Sequence, residues 1–328
     1  MVEITPPGKA PTNLYYHFSN FTADNRVAVF YAETAEGSQI FGYDVEAGKV
    51  RQLTSGQGVS GGSACPHPKQ AEILYYMRGM ALEELNTKTG ALRKVGEIPG
   101  PKVGGGGQPT FTPDLKKVTL YKQRDGGNWE IGLMDLATGA WQSVVTVGFR
   151  IGHVQHHPSL PMIFYVWETG GYAPQRSWLV NDDGTANRPF YAATDPKQWV
   201  TPLKEWMTHE SWIPQTGQMT MVMDKVGILI VEVDGKSRLL PGVYWHGRAT
   251  EDGKQILGDD FDGNLYLIDP ATGGRRLLAS GLRDSVRPVH AHASFDRSGR
   301  YVLFNTGRTR QTVALIDLKK AGIYSKPE

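Results

Sequence analysis

Cysteine is almost absent from this 328-residue chain: Cys65 stands alone, so no internal disulfide can staple the fold, and a reducing compartment is the expectation. Neither sign of charge is in excess. The 35 Lys plus Arg against 33 Asp plus Glu leave a net +2, which supplies no bulk field for nucleic acid or an anionic membrane, so an anionic ligand has to be recognised locally. No stretch of eighteen consecutive apolar residues occurs, and Met1-Val2-Glu3-Ile4-Thr5-Pro6-Pro7 has no basic segment leading into an apolar core. A soluble, cytoplasmic chain without membrane or nucleic-acid partners is therefore expected; a chain whose leader had been removed would read the same. A Gly-x-Ser-x-Gly elbow is missing, and the glycine run Gly104 to Gly107 lacks the Gly-Lys-Ser/Thr ending of a phosphate loop. Long 3.6-residue periodicity is missing as well, which argues against a helical bundle.

What the chain has in its place is a repeat. The cassette is an aromatic or small residue, a Pro/Asp/Gly turn, a β-rich run, a polar turn, a second β-rich run ending in Asp or Asn, then Thr-Gly and a last strand. Phe111-Thr112-Pro113-Asp114, Val118-Thr119-Leu120-Tyr121, Ile131-Gly132-Leu133-Met134-Asp135 and Thr138-Gly139 show it most fully. Related cassettes begin near Phe21, Cys65, His156, Trp212, Ala249 and Phe295, and their second halves recur as Tyr43-Asp44, Leu85-Asn86, Val180-Asn181, Val233-Asp234, Ile268-Asp269 and Ile316-Asp317. Seven diverged copies of a four-stranded unit predict an all-β, seven-bladed β-propeller over residues 1–328 as a single domain, since radial closure removes long exposed sheet edges. The seventh copy ends at Asp317-Leu318-Lys319 without a fourth strand, while Val2-Glu3-Ile4-Thr5 resembles the last strand of a cassette. The N-terminal strand is thus expected to close the last blade. Ala192 through Thr208 reads as an insertion before a short blade five.

Three residues ahead of each cassette's opening residue, where the innermost strand is expected to begin, the chain reads Phe18, Gly62, Gln108, His153, His209, His246 and His292. Four of the nine histidines share this register in consecutive blades, and His290 precedes His292 by two, on the same strand face. The beginnings of a propeller's inner strands crowd round one mouth of the channel, so these side chains, with Arg176 from a loop before a third strand, are expected at one face. A convergent histidine cluster is a candidate metal site, and His246, His290 and His292 are the ligand set it favours. His67, His156 and His157 read as surface or turn residues and Cys65 as a small core residue. Most tryptophans read as core, although Trp212 and others near the register offer a face on which a sugar could stack.

The same segments resemble oligogalacturonate lyases, the seven-bladed propeller family that degrades short pectin fragments. The resemblance is carried by Ile4-Thr5-Pro6-Pro7 with Asn13-Leu14-Tyr15-Tyr16, Gly152-His153, Arg176-Ser177-Trp178-Leu179-Val180-Asn181-Asp182-Asp183-Gly184-Thr185, Thr208-His209-Glu210-Ser211-Trp212-Ile213-Pro214 and Val289-His290-Ala291-His292-Ala293-Ser294-Phe295. It implies His209 as catalytic base, Arg176 as an active-site arginine, and His246, His290 and His292 as ligands of manganese. Where the family has a glutamine ligand, three residues before the first histidine of His-x-His, this chain has Arg287. The implied activity is β-elimination on a 4-linked uronate oligosaccharide, with His153, Arg287, Gln108 and Trp212 as substrate-binding candidates. Two other readings stand beside it: a carbohydrate enzyme acting on a different sugar acid or glycoside, and a non-catalytic binding propeller. The sugar, the linkage and the oligomeric state are not set by the sequence.

Overall fold

The computed structural model describes all residues except 101–106, 170–172, 174, 192–205, 284–288, 309 and 325–328. Most of the segment expected as an insertion lies outside the described residues, as does most of the glycine run; Met207 and Thr208, counted with the insertion, instead open the inner strand Met207–Trp212.

The chain is an all-β, seven-bladed propeller of seven four-stranded antiparallel sheets. Blade three is the cassette in full: Thr110–Phe111, Lys117–Gln123, Trp129–Asp135 and Trp141–Val147 pair in sequence order. Blade seven is the exception, with the order Val2–Ile4, Thr312–Asp317, Tyr301–Thr306, Ser294–Phe295. Val2, Glu3 and Ile4 lie opposite Leu315, Ala314 and Val313, so the first strand supplies what the seventh copy lacks. No helix of the described residues is long and apolar enough to cross a membrane.

Local chemistry explains the cassette's spelling. The Asp or Asn that ends the third strand folds its side chain back onto the next turn: Asp135 Oδ1 accepts from Ala137 N and Thr138 N, and Asn86 Oδ1 from Lys88 N and Thr89 N. This is an Asx turn. Gly139 follows with φ +74, and a Cβ there would run into the Val95 carbonyl, so only glycine completes the hairpin without strain. Blade five departs from the expected spelling: its third strand, Gly227–Val231, ends before Val233, and Asp234 sits in the turn itself, accepting from Lys236 N.

In blades two to seven the residue that opens the cassette, Pro66 in blade two, closes the inner strand, whereas in blade one Phe21 makes an isolated bridge to Ala28 beyond Lys9–Asn13. The successor of the opening residue pairs back across the first hairpin: Thr22 N to Val27 O, Thr112 N to Lys117 O, His157 N to Met162 O, Ile213 N to Gln218 O, Thr250 N to Gln255 O and Asp296 N to Tyr301 O. In blade two the same bond runs from His67 N to Ile73 O. The blade-two register is therefore one residue later than the spacing suggested, and Ser63 replaces Gly62 at the position of the histidines.

By contacts the chain groups into two units, Met1–Lys94 with Arg248–Glu328, and Val95–Gly247. In the first, the core lies between neighbouring blades, with Phe21, Phe30 and Phe41 packed against Leu303 and Val313, and Leu257 and Leu265 against Phe304 and Ile316. In the second, Ile131 and Leu133 pack on Ile163 and Val180, and Phe164 and Leu179 on Met219 and Leu229. Burying each such side chain contributes about 1.5–3 kcal/mol, which is what the alternating β-branched and aromatic positions supply.

Candidate active site

The histidine register is written into the backbone. His153, His209 and His292 all have positive φ, at 48°, 57° and 44°, a region where non-glycine residues are uncommon and His, Asn and Asp are enriched. In blades four and five the ladder slips at the same place, between Gly152 and Gln155 and between Thr208 and Ser211. A bulge releases its residues from strict alternation and re-aims their side chains. His153 and Val154 are released in one blade, His209 and Glu210 in the next. His246, by contrast, is the first residue of the inner strand His246–Ala249, and His292 lies two residues ahead of Ser294–Phe295.

Within the unit Val95–Gly247 the released side chains build a charged cluster on Glu210. This carboxylate is fully buried. Its Oε1 accepts from Arg176 Nε at 2.7 Å, and its Oε2 lies 2.6 Å from His153 Nδ1. Glu168 Oε2 stands 3.8 Å from His153 Nε2 and 3.7 Å from Arg176 Nη2. Burial pushes the Glu210 carboxyl up most strongly, but the Arg176 guanidinium and His153 together outweigh it and hold it well below the usual carboxylate range. Gln155 ties the two strands together, donating to Glu210 O at 2.9 Å and accepting from Trp212 N at 3.3 Å.

The imidazoles run on from this cluster. The rings of His153 and His209 are stacked 6.4 Å apart, and those of His209 and His246 are 4.2 Å apart. His246 is buried, and burial first, then the neighbouring His153, lower its pKa to about 3, so it is neutral at physiological pH with a lone pair to offer. Ligand nitrogens of His246, His290 and His292 lie within 4.8 Å of one another, and His246 is carried by the sheet of blade six. In the other unit the His-x-His backbone is bracketed by two buried asparagines: Asn305 Nδ2 donates to His290 O at 3.1 Å, Asn13 Nδ2 donates to His292 O at 2.7 Å, and Asn13 N donates to Asn305 Oδ1 at 2.8 Å. Tyr15 packs edge-on to His292 at 4.7 Å.

Not every candidate joins this arrangement. Trp212 is in the core, packed on Phe164, Phe190 and His157, so its face is taken and it is withdrawn as a sugar platform. Gln108 is half-buried ahead of Thr110–Phe111, outside the cluster built on Glu210. Arg287 lies outside the described residues. His67 and His157 are at turns while His156 ends the inner strand Ile151–His156, and all three are buried rather than on the surface. The Nδ1 atoms of His67 and His157 accept from the backbone N–H groups of Lys69 and Gln70, and of Ser159 and Leu160; in other blades Thr22, Thr112 and Thr250 stand at this place and accept instead from the N–H five residues on. Cys65 is buried, and burial pushes its thiol up to about 12, as suits an inert core residue.

Glu210 and Glu168 escaped the sequence reading. A signal for Glu210 exists: it is the one acidic residue within Met207–Trp212, and a carboxylate in an inner strand has to find a cation.

No protein-family model matches the sequence, and no curated protein matches it. Solved structures do. An oligogalacturonate lyase in complex with manganese superposes with TM-score 0.81 at 19% identity, covering 96% of this chain and 92% of that one. The oligogalacturonate lyase of Vibrio parahaemolyticus gives 0.80 at 18%, covering 97% and 93%. A chain of a mitotic checkpoint complex, at 0.62 and 10% identity, covers 96% and 95%. What the chain shares with all three, over nearly its whole length, is the propeller fold.

Proposed function

We propose that this chain, acting as a single propeller domain, is a β-eliminating lyase of short 4-linked uronate oligosaccharides, a diverged relative of the oligogalacturonate lyases. The observation that carries the reading is the juxtaposition of a bulge-borne histidine, His209, with His246 of the three-imidazole group, beside the Arg176–Glu210 charge pair. Three imidazoles at this spacing suit a divalent transition ion, zinc by ligand softness and manganese where oxygen ligands from water or substrate complete the shell, and the neutral state of His246 is the form a metal ligand needs. When bound, a divalent ion supplies positive charge that counters the uronate carboxylate.

The chain's own residues do the rest. Elimination removes the proton at C5, α to the carboxylate, and expels the oxygen at C4; that proton is only weakly acidic, so negative charge has to be stabilised as it develops. His209 is positioned as the base. Arg176 is a fixed positive charge, buried and oriented by Glu210, so it acts on the transition state from where it stands. The test is an absorbance assay. Elimination creates a C4=C5 double bond conjugated with the carboxylate, so near-ultraviolet absorbance is expected to rise when the protein, with manganese supplied, is given galacturonate oligomers within a panel of uronate oligosaccharides. A flat trace across the panel, with intact folded protein, overturns the reading.

A further inference from the structure

Elimination needs an acid as well as a base, because the electron pair of the breaking C4–O bond ends on an oxygen that must be protonated before it departs. We propose that His153 is that general acid, with Glu210 as the residue that positions it; this rests on the lyase reading. The atoms involved belong to two neighbouring inner strands of one unit and to the segments flanking Ser177–Asn181.

Geometry determines which nitrogen acts. Glu210 is buried and held ionised by Arg176, so it can only accept, and the 2.6 Å contact requires a hydrogen on His153 Nδ1. Nε2 is therefore the atom left to exchange a proton. The ring retains access, since the His153 side chain is 16% exposed while Glu210 is 1% and Arg176 4%. The charged and titratable groups around it are Glu210 behind Nδ1, Glu168 beside Nε2, Arg176 bridging the two carboxylates, His209 stacked across a 6.4 Å centroid separation, and His246 beyond His209. That separation lets two imidazoles flank adjacent atoms of one substrate, each within a hydrogen-bond reach of about 2.6–3.2 Å of its proton. His153 sits at positive φ in a bulge that releases it from the strand's alternation, and its ring lies stacked on that of His209.

The step balances. His209 takes the C5 proton, the C5–H electron pair becomes the second bond of C4=C5, the C4–O pair goes to the leaving oxygen, and His153 Nε2–H gives that oxygen its proton. His209 ends protonated and His153 neutral, and exchange with water resets both.

The experiment compares leaving groups. His153→Asn is the variant of choice, because asparagine tolerates positive φ and carries no titratable proton. With a galacturonide dimer, kcat is expected to fall roughly 10²- to 10⁴-fold. With a galacturonide whose C4 oxygen carries a nitrophenyl group, which departs without a proton, the deficit is expected to shrink to under about tenfold. A deficit of equal size on both substrates, or none on either, overturns the assignment and leaves the lyase reading standing. Absence of elimination by the wild type on both substrates overturns the lyase reading and the assignment with it. Should His153→Asn not fold, the wild type decides: kcat nearly independent of leaving-group basicity across a series of aryl ethers supports an enzymic acid, and a steep dependence overturns it.

Discussion

Six of the histidines fall into two sets that differ by four positions in the cassette. One set, His67 and His157, sits just past the inner strand and hands a ring nitrogen to the backbone of the following turn. The other, His153, His209, His246 and His292, sits at or ahead of that strand, and its rings meet one another, a carboxylate or a tyrosine. The side chain is the same in both. Backbone position decides its use: a turn saturates the ring locally, whereas a bulge or strand end aims it at residues from another blade. In other blades threonine stands at the place of the first set and closes the same hairpin from its other side, accepting from the N–H five residues on.

The sharpest way to break this comparison is at His209. His209→Ala is expected to lower kcat roughly 10²- to 10⁴-fold while the melting temperature and bound metal stay nearly unchanged, because the base is lost and little packing goes with it. Near-full turnover by the variant would remove His209 from the chemistry. Next in size is metal binding. Calorimetric titration of chelator-treated protein with manganese is expected to show one site, weakened in His292→Ala by more than the ~10–100-fold that loss of a second-shell residue costs. Absence of heat in the wild type would deny the three imidazoles a metal role.

The smallest effect belongs to the turn set and should appear in stability rather than turnover. His157→Ala is expected to cost about 1–3 kcal/mol, from the acceptor lost to Ser159 and Leu160 and the packing lost against Trp212, with kcat unchanged. The pH dependence has a definite sign. Burial lowers the His157 pKa from 6.5 to about 4, so between those values the unfolded chain takes up a proton that the folded one refuses, and stability falls as pH drops through this window. Urea midpoints measured from pH 7 to 4 should fall more gently in the variant. An equal slope would assign the acid sensitivity to other groups.

The fold was legible because its signals are local. Asp135 and Gly139 are dictated by one turn, and the same Asx turn at Asp44, Asn86, Asp269 and Asp317 reveals the blade. Where the spelling is degenerate the reading slipped: Pro66-His67-Pro68 hid a one-residue offset in blade two, and Asp234 in blade five belongs to a turn that only resembles the others. The register histidines were legible as a column, but the bulges that aim them were not, since a slip in pairing leaves no mark in residue type. Glu210 was read as a letter in a motif rather than as half of an ion pair, because its partner Arg176 is 34 residues away. Trp212 misled for the opposite reason: a large aromatic near a site serves a core as readily as a sugar.

One consequence follows from the way blade seven is completed. Ile4 O accepts from Thr312 Oγ1 across 308 residues of sequence, and among the described residues the strand Val2–Ile4 pairs only with Thr312–Asp317. During synthesis Val2–Ile4 leaves the ribosome long before Thr312–Asp317, and it waits through the translation of six other sheets before its own edge exists. At about 5–20 residues per second, that delay is tens of seconds. Closure of blade seven thus waits on Thr312–Asp317, and anything that occupies Val2–Ile4 in the interval competes directly with it.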